Sequence, residues 1–244
     1  MIRLIFVALF VVLFLIIGIP VLGIEWLIGK VSKKTMDYSS LRLVQWAFNM
    51  IIKLAGIELT VIGEENISEG PVLYIGNHRS FFDIVITYAR CKNLTGYIAK
   101  KEMLSIPLLR TWMKRLYCLF LDRENPKEGL TTILQAIDYV KHGISICIFP
   151  EGTRNKGEEL SLLPFHNGSF KIAEKTGCPI IPMSLNNTCD IFEGHFPFIK
   201  KTHVILEYGK PIYPKELDKD EKKRIGEYCS NIISETIHKN QALV

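Results

Sequence analysis

From residue 58 onward, short apolar runs alternate with longer segments of helical periodicity. Residues 72–75 and 144–149 are apolar runs of strand length, whereas residues 126–141 carry apolar side chains every three or four positions. Strands that alternate with helices indicate an α/β fold, because parallel strands need crossover connections. We therefore predict a largely parallel sheet flanked by helices, in one domain over residues 58–244.

Two segments of the C-terminal half carry more specific predictions. Residues 180–185 form an apolar run interrupted by Pro182, which lacks a backbone N–H, so we expect an edge strand or an irregular one. Residues 221–239 show apolar positions at helical spacing and predict one amphipathic terminal helix. The side chains predicted to face inward are Ile225, Tyr228, Ile232, Ile233 and Ile237.

The N-terminal part of the chain is more apolar than the rest. Residues 4–24 carry no charge, and the segment is long enough to cross a bilayer as a helix. It exceeds the apolar core of a signal peptide and no small-residue cleavage site follows, so we favour a retained membrane anchor. Gly18 and Pro20 can kink this helix, so the sequence leaves open whether it spans the bilayer or dips into one leaflet.

A second N-terminal segment, residues 41–57, has apolar residues at helical spacing. Two interpretations fit it equally: a helix on the membrane surface, with Trp46 at the interface, or a core helix of the soluble domain. With the anchor it forms a predicted N-terminal unit, residues 1–57.

The charges that flank the anchor predict its orientation. Arg3 precedes it, and a larger basic group follows it, namely Lys30, Lys33, Lys34 and Arg42. The positive-inside rule then places the domain on the cytoplasmic side of the cell membrane.

The composition narrows the classes of partner. A net charge of +5, spread along the chain, fits attraction to anionic lipid or to a phosphate-bearing substrate. There is no basic stripe interleaved with aromatic residues, so we expect no nucleic-acid partner. The six cysteines include no C-x-x-C pair and no metal-ligand spacing is present, so we predict no metal site.

The candidate catalytic residues stand between a predicted strand and a predicted helix. His78 follows the apolar run that ends at Ile75, and Asp83 comes five residues later, in the first turn of the next helix. From there the carboxylate can reach the imidazole, and a histidine held by a carboxylate is a general base near neutral pH. The alternative is structural, because Ser80 and Asp83 also match a capping box that would only satisfy backbone N–H groups.

Two further predicted strands end in residues suited to a phosphate group. The turn after Phe149 contains Glu151, Gly152, Thr153 and Arg154. Its glycine permits a ligand to approach the backbone closely, and its arginine offers a planar fork of N–H donors. Arg123 follows another short strand, although it could simply pair with Asp122, and Arg154 could be solvated. Because parallel strands end at one edge of a sheet, these residues predict a base working beside a bound phosphate.

Four short blocks of the sequence, taken together, resemble the glycerolipid acyltransferases. Residues 77–83 (NHRSFFD) are similar to the family's NHxxxxD block, and residues 120–123 (FLDR), 149–154 (FPEGTR) and 180–183 (IIPM) follow in the family's order. By size and layout, the chain is most similar to the bacterial type of 1-acyl-sn-glycerol-3-phosphate acyltransferase. It departs from the pattern at Tyr117, where a glycine is usual, and at His166, where a lysine is common.

The resemblance implies transfer of a fatty acyl group from a thioester to the sn-2 hydroxyl of lysophosphatidate, which gives phosphatidate in phospholipid biosynthesis. His78 would be the base and Asp83 would orient it. The implied substrate-binding residues are Lys101, Arg123, Glu151, Gly152, Thr153 and Arg154. Among them, Glu151 would brace the turn, and Lys101 could equally be a solvated lysine.

The implied partners are small molecules and membrane lipid. No cofactor is expected, and acyl-CoA or acyl-carrier protein would be the co-substrate. Alternatives are another acceptor, such as glycerol 3-phosphate or a different lysophospholipid, a membrane-tethered binding domain with a vestigial site, and a thioesterase that uses the same base on water.

Overall fold

The computed structural model describes residues 1–122 and 125–244, and the architecture given below is that of these residues. The helices are α1 (Ile2–Val31), α2 (Lys33–Ala55), α3 (Phe81–Ala89), α4 (Pro107–Arg115), α5 (Pro126–Lys141), α6 (Lys171–Thr176), α7 (Lys219–Lys223) and α8 (Ile225–Asn240). The strands are β1 (Ile57–Ile62), β2 (Leu73–Gly76), β3 (Thr95–Lys100), β4 (Leu119–Leu121), β5 (Ser145–Ile148), β6 (Ile180–Asn186) and β7 (Thr202–Tyr208).

The strands form one seven-stranded sheet in the order β1-β7-β6-β2-β5-β3-β4. Every neighbouring pair is parallel except β6 and β7, so the predicted largely parallel α/β fold is confirmed. Strands β2 to β6 share one direction, and their carboxyl ends meet along a single edge, called the carboxyl edge here. Because β1 and β7 run the opposite way, the segments that precede these two strands reach the same edge.

Of the two alternatives expected for residues 180–185, the edge strand is wrong, because β6 lies between β7 and β2. The irregular strand agrees with the structure, because the partner of β6 changes at Pro182. The carbonyl of Pro182 accepts a hydrogen bond from Gly209 N at 2.8 Å, on the side of β6 that faces β7. On this side β6 pairs with β7 after the proline and bridges to Ile212 before it. The missing N–H of Pro182 therefore falls where the partner of β6 changes, and the ladder to β2 loses no bond.

The sheet separates two hydrophobic clusters, and the alternation of side chains along each strand divides them. On β2, Tyr74 belongs to the cluster under α2 and α3, whereas Leu73 and Ile75 belong to the cluster under α5, α6 and α8. Leu73 and Ile75 are fully buried. Burial of one such aliphatic side chain contributes roughly 1.5–3 kcal/mol to the free energy of folding. Because β2 is buried on both faces, it is firmly held, and so is the start of the turn that follows it at the carboxyl edge.

Helix α2 is a core helix on one of its faces. Leu41, Val44 and Ala55 are buried in the cluster beneath the sheet, and the helix ends at Gly56 in the left-handed conformation. On the opposite face Trp46 is half exposed and contacts α1. Of the two interpretations of residues 41–57, the core helix therefore accounts for the buried face. The division of the chain after residue 57 stays a prediction.

Helix α1 lies antiparallel along α2 over its whole length. Arg3 lies against Gly56 at one end and Met36 lies against Gly29 at the other. In between, a Cβ on Gly18 would stand 2.9 Å from the indole nitrogen of Trp112, so α4 also approaches closely. Within the described residues, α1 is the one helix long and apolar enough to cross a membrane, which weakly suggests membrane association.

The helices of the C-terminal part differ from the prediction in their bounds. The single helix expected at residues 221–239 is divided into α7 and α8 at Arg224, and α8 begins where Gly226 packs against Asn167. The helix predicted from Gly168 starts as a 3₁₀ turn, Asn167–Phe170, that leads into α6. The predicted inward positions of α8 all contact the core: Ile225, Ile233 and Ile237 are buried, and Tyr228 and Ile232 are half-buried.

Tyr117 precedes β4 in a backbone conformation that favours glycine. Its φ is +60°, a costly value for a bulky side chain, at the position where the resemblance leads one to expect glycine. Its hydroxyl donates to the Asp37 carboxylate, and its ring packs edge-on against Tyr139 at 5.3 Å between centroids. These contacts hold a turn whose carbonyl oxygen lies directly over Gly96 of β3.

Replacing Gly96 with alanine should destabilise the fold, because the added Cβ would stand 2.2 Å from the carbonyl oxygen of Tyr117. We expect Gly96→Ala to lower the free energy of unfolding by about 1–3 kcal/mol, measured by denaturant unfolding in detergent. The matched control is Gly129→Ala in α5, where the new methyl meets only Leu121 at 3.6 Å. The control should stabilise by up to about 1 kcal/mol, and equal stability of both variants would contradict the packing.

Candidate active site

The site begins where the chain leaves β2. Asn77 is almost fully buried, and its side chain grips the end of β6. Its Nδ2 donates to Leu185 O at 2.9 Å, and its Oδ1 accepts from Leu185 N at 2.8 Å. This two-point attachment fixes the turn after β2, so the next residue, His78, lies at the carboxyl edge of the sheet.

His78 and Asp83 are joined by a hydrogen bond of 2.7 Å between Nδ1 and Oδ2. The Asp83 side chain is fully buried, whereas 15% of the His78 side chain is exposed. A carboxylate only accepts hydrogen bonds, so this contact assigns the proton to Nδ1 and leaves Nε2 with its lone pair. The imidazole is therefore arranged as a base whose tautomer is set by the carboxylate.

The same Asp83 oxygen also closes the start of α3. Oδ2 accepts from Ser80 N at 2.8 Å and from Arg79 N at 2.7 Å, while Ser80 Oγ accepts from Phe82 N. The capping box is thus present together with the histidine contact. The structural and the catalytic interpretation of Asp83 are compatible, because one oxygen makes both sets of contacts.

The turn after β5 holds both the ring and the backbone of His78. The imidazole stacks on Phe149, with ring centroids 4.5 Å apart and planes 17° apart. His78 N donates to Glu151 Oε1 at 2.7 Å, and His78 O accepts from Asn155 N at 2.7 Å. The two sequence blocks around residues 78 and 151 therefore form one rigid unit.

Glu151 is buried and braces two loops. Its second oxygen accepts from Leu163 N at 2.9 Å, so both carboxylate oxygens bind backbone N–H groups. Burial raises the pKa of this carboxyl above its usual value, and the two N–H groups oppose that shift. The position of Glu151 suits support of His78 more than direct contact with a substrate, and its binding role stays a prediction.

The remainder of this turn is shaped for close approach. Gly152 has a φ of +72°, and a Cβ there would stand 3.2 Å from the His166 ring. Thr153 is exposed. Arg154 is partly exposed, at 31% of its side chain, and its guanidinium lies 3.7 Å from the centroid of the Phe81 ring. The arginine is therefore held over the first residue of α3, close to the turn that carries His78.

Two other predicted binding residues are placed differently. Lys101 follows β3 at the carboxyl edge, where its ammonium bonds Glu128 Oε2 at 2.8 Å and Asp122 Oδ2 at 3.1 Å. Hydrogen bonds to these two acids raise the pKa of Lys101. Arg123 lies outside the described residues. The phosphate-binding roles of both residues stay predictions.

Glu193 belongs to this site and was missed by the sequence analysis. It lies in the 3₁₀ turn Glu193–His195 between β6 and β7, and its carboxylate contacts Arg154, Ser80 and Phe81. No motif surrounds it, and only the antiparallel return of β7 brings this segment to the carboxyl edge. A lone glutamate in a loop offered no signal that could have identified it.

Arg79 was also missed, and its contacts are with the protein's own backbone and side chains. It is 6% exposed, and its guanidinium donates to Gly157 O at 2.9 Å and to Glu158 O at 2.8 Å. It also pairs with Glu159 at 3.3 Å. These bonds attach the loop after Arg154 to the turn that carries His78, so Arg79 stabilises the structure of the site.

An apolar cavity of about 940 Å³ opens beside the turn at Gly152 and His166. One wall is the apolar face of α5, and the other is formed by the ends of β3, β4 and β5. The side chains that line it include Ile98, Leu121, Ile133, Ile137 and Ile148. A space of this size and polarity suits an alkyl chain.

Three cysteines of the hydrophobic core are poor nucleophiles. Burial raises the pKa of Cys91 and of Cys118 to about 11, and that of Cys147 well above its usual value. A thiol with such a pKa stays protonated near neutral pH, and only the thiolate attacks. These three cysteines are packing residues.

The known proteins that this chain resembles are acyltransferases. The model of the family described as "Acyltransferase" matches residues 58–186. The chain is 32% identical over 196 residues to the 1-acyl-sn-glycerol-3-phosphate acyltransferase of Saccharomyces cerevisiae, an alignment covering 78% of this chain and 64% of the yeast protein. It is also 32% identical over 174 residues to the Escherichia coli K12 protein of the same name, covering 70% of this chain and 68% of that one.

The fold has a counterpart among solved structures. The crystal structure of the 1-acyl-sn-glycerophosphate (LPA) acyltransferase from Thermotoga maritima superposes with a TM-score of 0.85. The superposition covers 98% of this chain and 95% of that one, and at 22% identity it shows a shared fold. With the family model matching more than half of its residues, the chain belongs to the acyltransferase family.

Proposed function

We propose that this protein transfers a fatty acyl group from an acyl thioester to the sn-2 hydroxyl of lysophosphatidate. The bond between His78 and Asp83 carries the proposal, because it prepares a base at an edge that also presents Arg154. The names of the relatives point to the same acceptor. The chain spans 64% of the yeast relative's length, and the acceptor is therefore taken as part of the proposal.

The proposed reaction needs one base and a nucleophile that the substrate supplies. Nε2 of His78 takes the proton from the acceptor hydroxyl, and the alkoxide oxygen attacks the thioester carbonyl. The tetrahedral intermediate collapses, the carbon–sulfur bond breaks, and the imidazolium returns its proton to the leaving thiolate. Asp83 stabilises the transient imidazolium, as a carboxylate does for a catalytic histidine.

Two opposite charges act on the proposed base, the N-terminus of α3 and the carboxylate of Asp83. His78 lies close to the N-terminus of α3, whose partial positive charge disfavours an imidazolium. The buried carboxylate of Asp83 offsets this effect at a distance of 2.7 Å. Arg154 then supplies positive charge for the acceptor phosphate, and its planar fork suits two phosphate oxygens.

Two surfaces of the structure support the proposed substrates. The cavity along α5 would take the acyl chain, because its wall is apolar and its opening lies at Gly152. The acceptor would approach the carboxyl edge, where the exposed side chains of Phe81, Phe196 and Phe198 lie. Either acyl-CoA or acyl-carrier protein would serve as the donor in this scheme.

We propose that α1 embeds in one leaflet, with the domain on the cytoplasmic side. Helix α1 lies along α2 from Arg3 to Gly29, and α2 is packed into the core under the sheet. A spanning α1 would carry α2 and the sheet into the hydrocarbon region, where an open sheet edge is costly.

His78→Ala should abolish acyl transfer, with a loss of at least about a hundred- to ten-thousandfold, because the base is removed. The measurement is transfer of a labelled acyl group from each donor type to lysophosphatidate by the purified protein. The variant should still fold, as thermal unfolding would show, and should stay bound to the membrane. His238→Ala on exposed α8 is the control, and near wild-type transfer by His78→Ala would refute the role.

Arg154→Ala should raise the KM for lysophosphatidate by about tenfold or more, because a charge-assisted contact with the phosphate is lost. The KM for the donor should change little. Arg224→Ala, an exposed arginine at the junction of α7 and α8, is the matched control. An unchanged acceptor KM would remove Arg154 from the phosphate site.

The same assay, run over a panel of acceptors, tests the rival functions. Preferred use of glycerol 3-phosphate or of another lysophospholipid would replace the acceptor, and release of free fatty acid without an acceptor would indicate a thioesterase. Absence of any turnover with every donor would leave a binding domain.

The membrane arrangement is tested by labelling Ile2→Cys in sealed vesicles with a membrane-impermeant thiol reagent. If α1 embeds in one leaflet, residue 2 lies on the same side as the domain and reacts like Lys201→Cys. The wild-type chain gives the background from its own cysteines. Labelling of the two cysteines from opposite sides would show that α1 spans the bilayer.

A further inference from the structure

Glu193 connects the arginine of the site to the helix that carries the base. Its Oε1 accepts from Phe81 N at 2.8 Å and from Arg154 Nη1 at 3.0 Å, and its Oε2 accepts from Ser80 Oγ at 2.6 Å. The carboxylate is 18% exposed. It therefore stands at the N-terminus of α3, in partly shielded surroundings where charge-assisted hydrogen bonds are strong.

The surroundings of Arg154 show what this carboxylate does. One face of the guanidinium lies on the Phe81 ring at 3.7 Å, and one nitrogen is bound by Glu193 at 3.0 Å. An arginine has several rotatable bonds, so these two contacts together restrict its position. Ser80 and Phe81 lie at the start of α3, which also carries Asp83. Glu193 therefore fixes the position of Arg154 relative to the His78–Asp83 pair.

We propose that Glu193 is a positioning residue that holds Arg154 in the orientation required for the acceptor phosphate. The inference rests on the proposed function, since it assigns the phosphate to Arg154. Glu193 contacts no reacting atom and acts through the arginine. A guanidinium has five N–H donors, and the bond to Glu193 uses one, so Arg154 keeps donors for phosphate oxygens.

A different arrangement would make Glu193 a stand-in for the phosphate, displaced when the acceptor binds. The structure favours a carboxylate that stays in place. Its Oε2 is bound to Ser80, which is fully buried and caps α3 through Phe82 N. Displacement of Glu193 would uncover this cap, whereas Arg154 is already partly exposed to an incoming ligand.

The test is a double-mutant cycle of Glu193→Ala and Arg154→Ala, with kcat and both KM values measured for lysophosphatidate and the donor. Glu193→Ala should raise the acceptor KM by about tenfold, the loss expected for one charge-assisted contact, with kcat and donor KM nearly unchanged. Glu193→Gln keeps an oxygen for Phe81 N and Arg154 and should restore most of the affinity. In the Arg154→Ala background, Glu193→Ala should raise the acceptor KM no further.

The controls separate positioning from a general loss of structure. Glu58→Ala removes a carboxylate from an exposed ion pair with Lys201 at the outer strand β1 and should leave all constants unchanged. Thermal unfolding is recorded for every variant.

Three results would overturn the inference: an acceptor KM that is unchanged or lower in Glu193→Ala, an equal rise in the Arg154→Ala background, or a uniform fall in kcat that follows lost stability. A lower KM would identify Glu193 as the stand-in for phosphate. Wild-type protein without transfer to lysophosphatidate would instead refute the proposed function, and this inference with it.

Discussion

The site depends on one hydrogen bond, the 2.7 Å contact between the imidazole of His78 and the carboxylate of Asp83. The carboxylate is fully buried and takes its other hydrogen bonds from the backbone at the start of α3. Such donors lower the cost of burying a charge, so the start of α3 supports the dyad. The helix supplies the N–H groups, and the carboxylate in return fixes the helix start and the tautomer of the base.

The parallel sheet is what assembles the remaining parts around this bond. Strands β2 and β5 are neighbours, so the turns that follow them meet at the carboxyl edge. The turn after β5 stacks Phe149 on His78 and binds the backbone of His78 through Glu151 and Asn155. His78, the proposed base, is therefore held by backbone and ring contacts from the turns after two strands, which is the pre-organisation that a general base needs.

The charged side chains at this edge differ in how deeply they are buried. Asp83 and Glu151 are buried and bind backbone N–H groups, while Glu193 is partly shielded and binds Arg154. Arg154 is more exposed than Glu193, so it would be open to an arriving phosphate group. The cavity along α5 lies on the other side of the Gly152 turn, so polar and apolar parts of a lipid substrate would be divided by that turn.

The sequence by itself determined the α/β class, the approximate positions of most strands and helices, and the blocks that carry His78, Asp83 and Arg154. These features follow from local periodicity, capping patterns and short motifs, which depend on neighbours along the chain. Only the tertiary structure decided that β6 is central despite Pro182, that the terminal helix breaks at Arg224, and that Glu193 reaches Arg154. Each of these depends on a partner distant in the sequence, such as Gly209 for Pro182 or α3 for Glu193, and such pairings are set by packing rather than by local pattern.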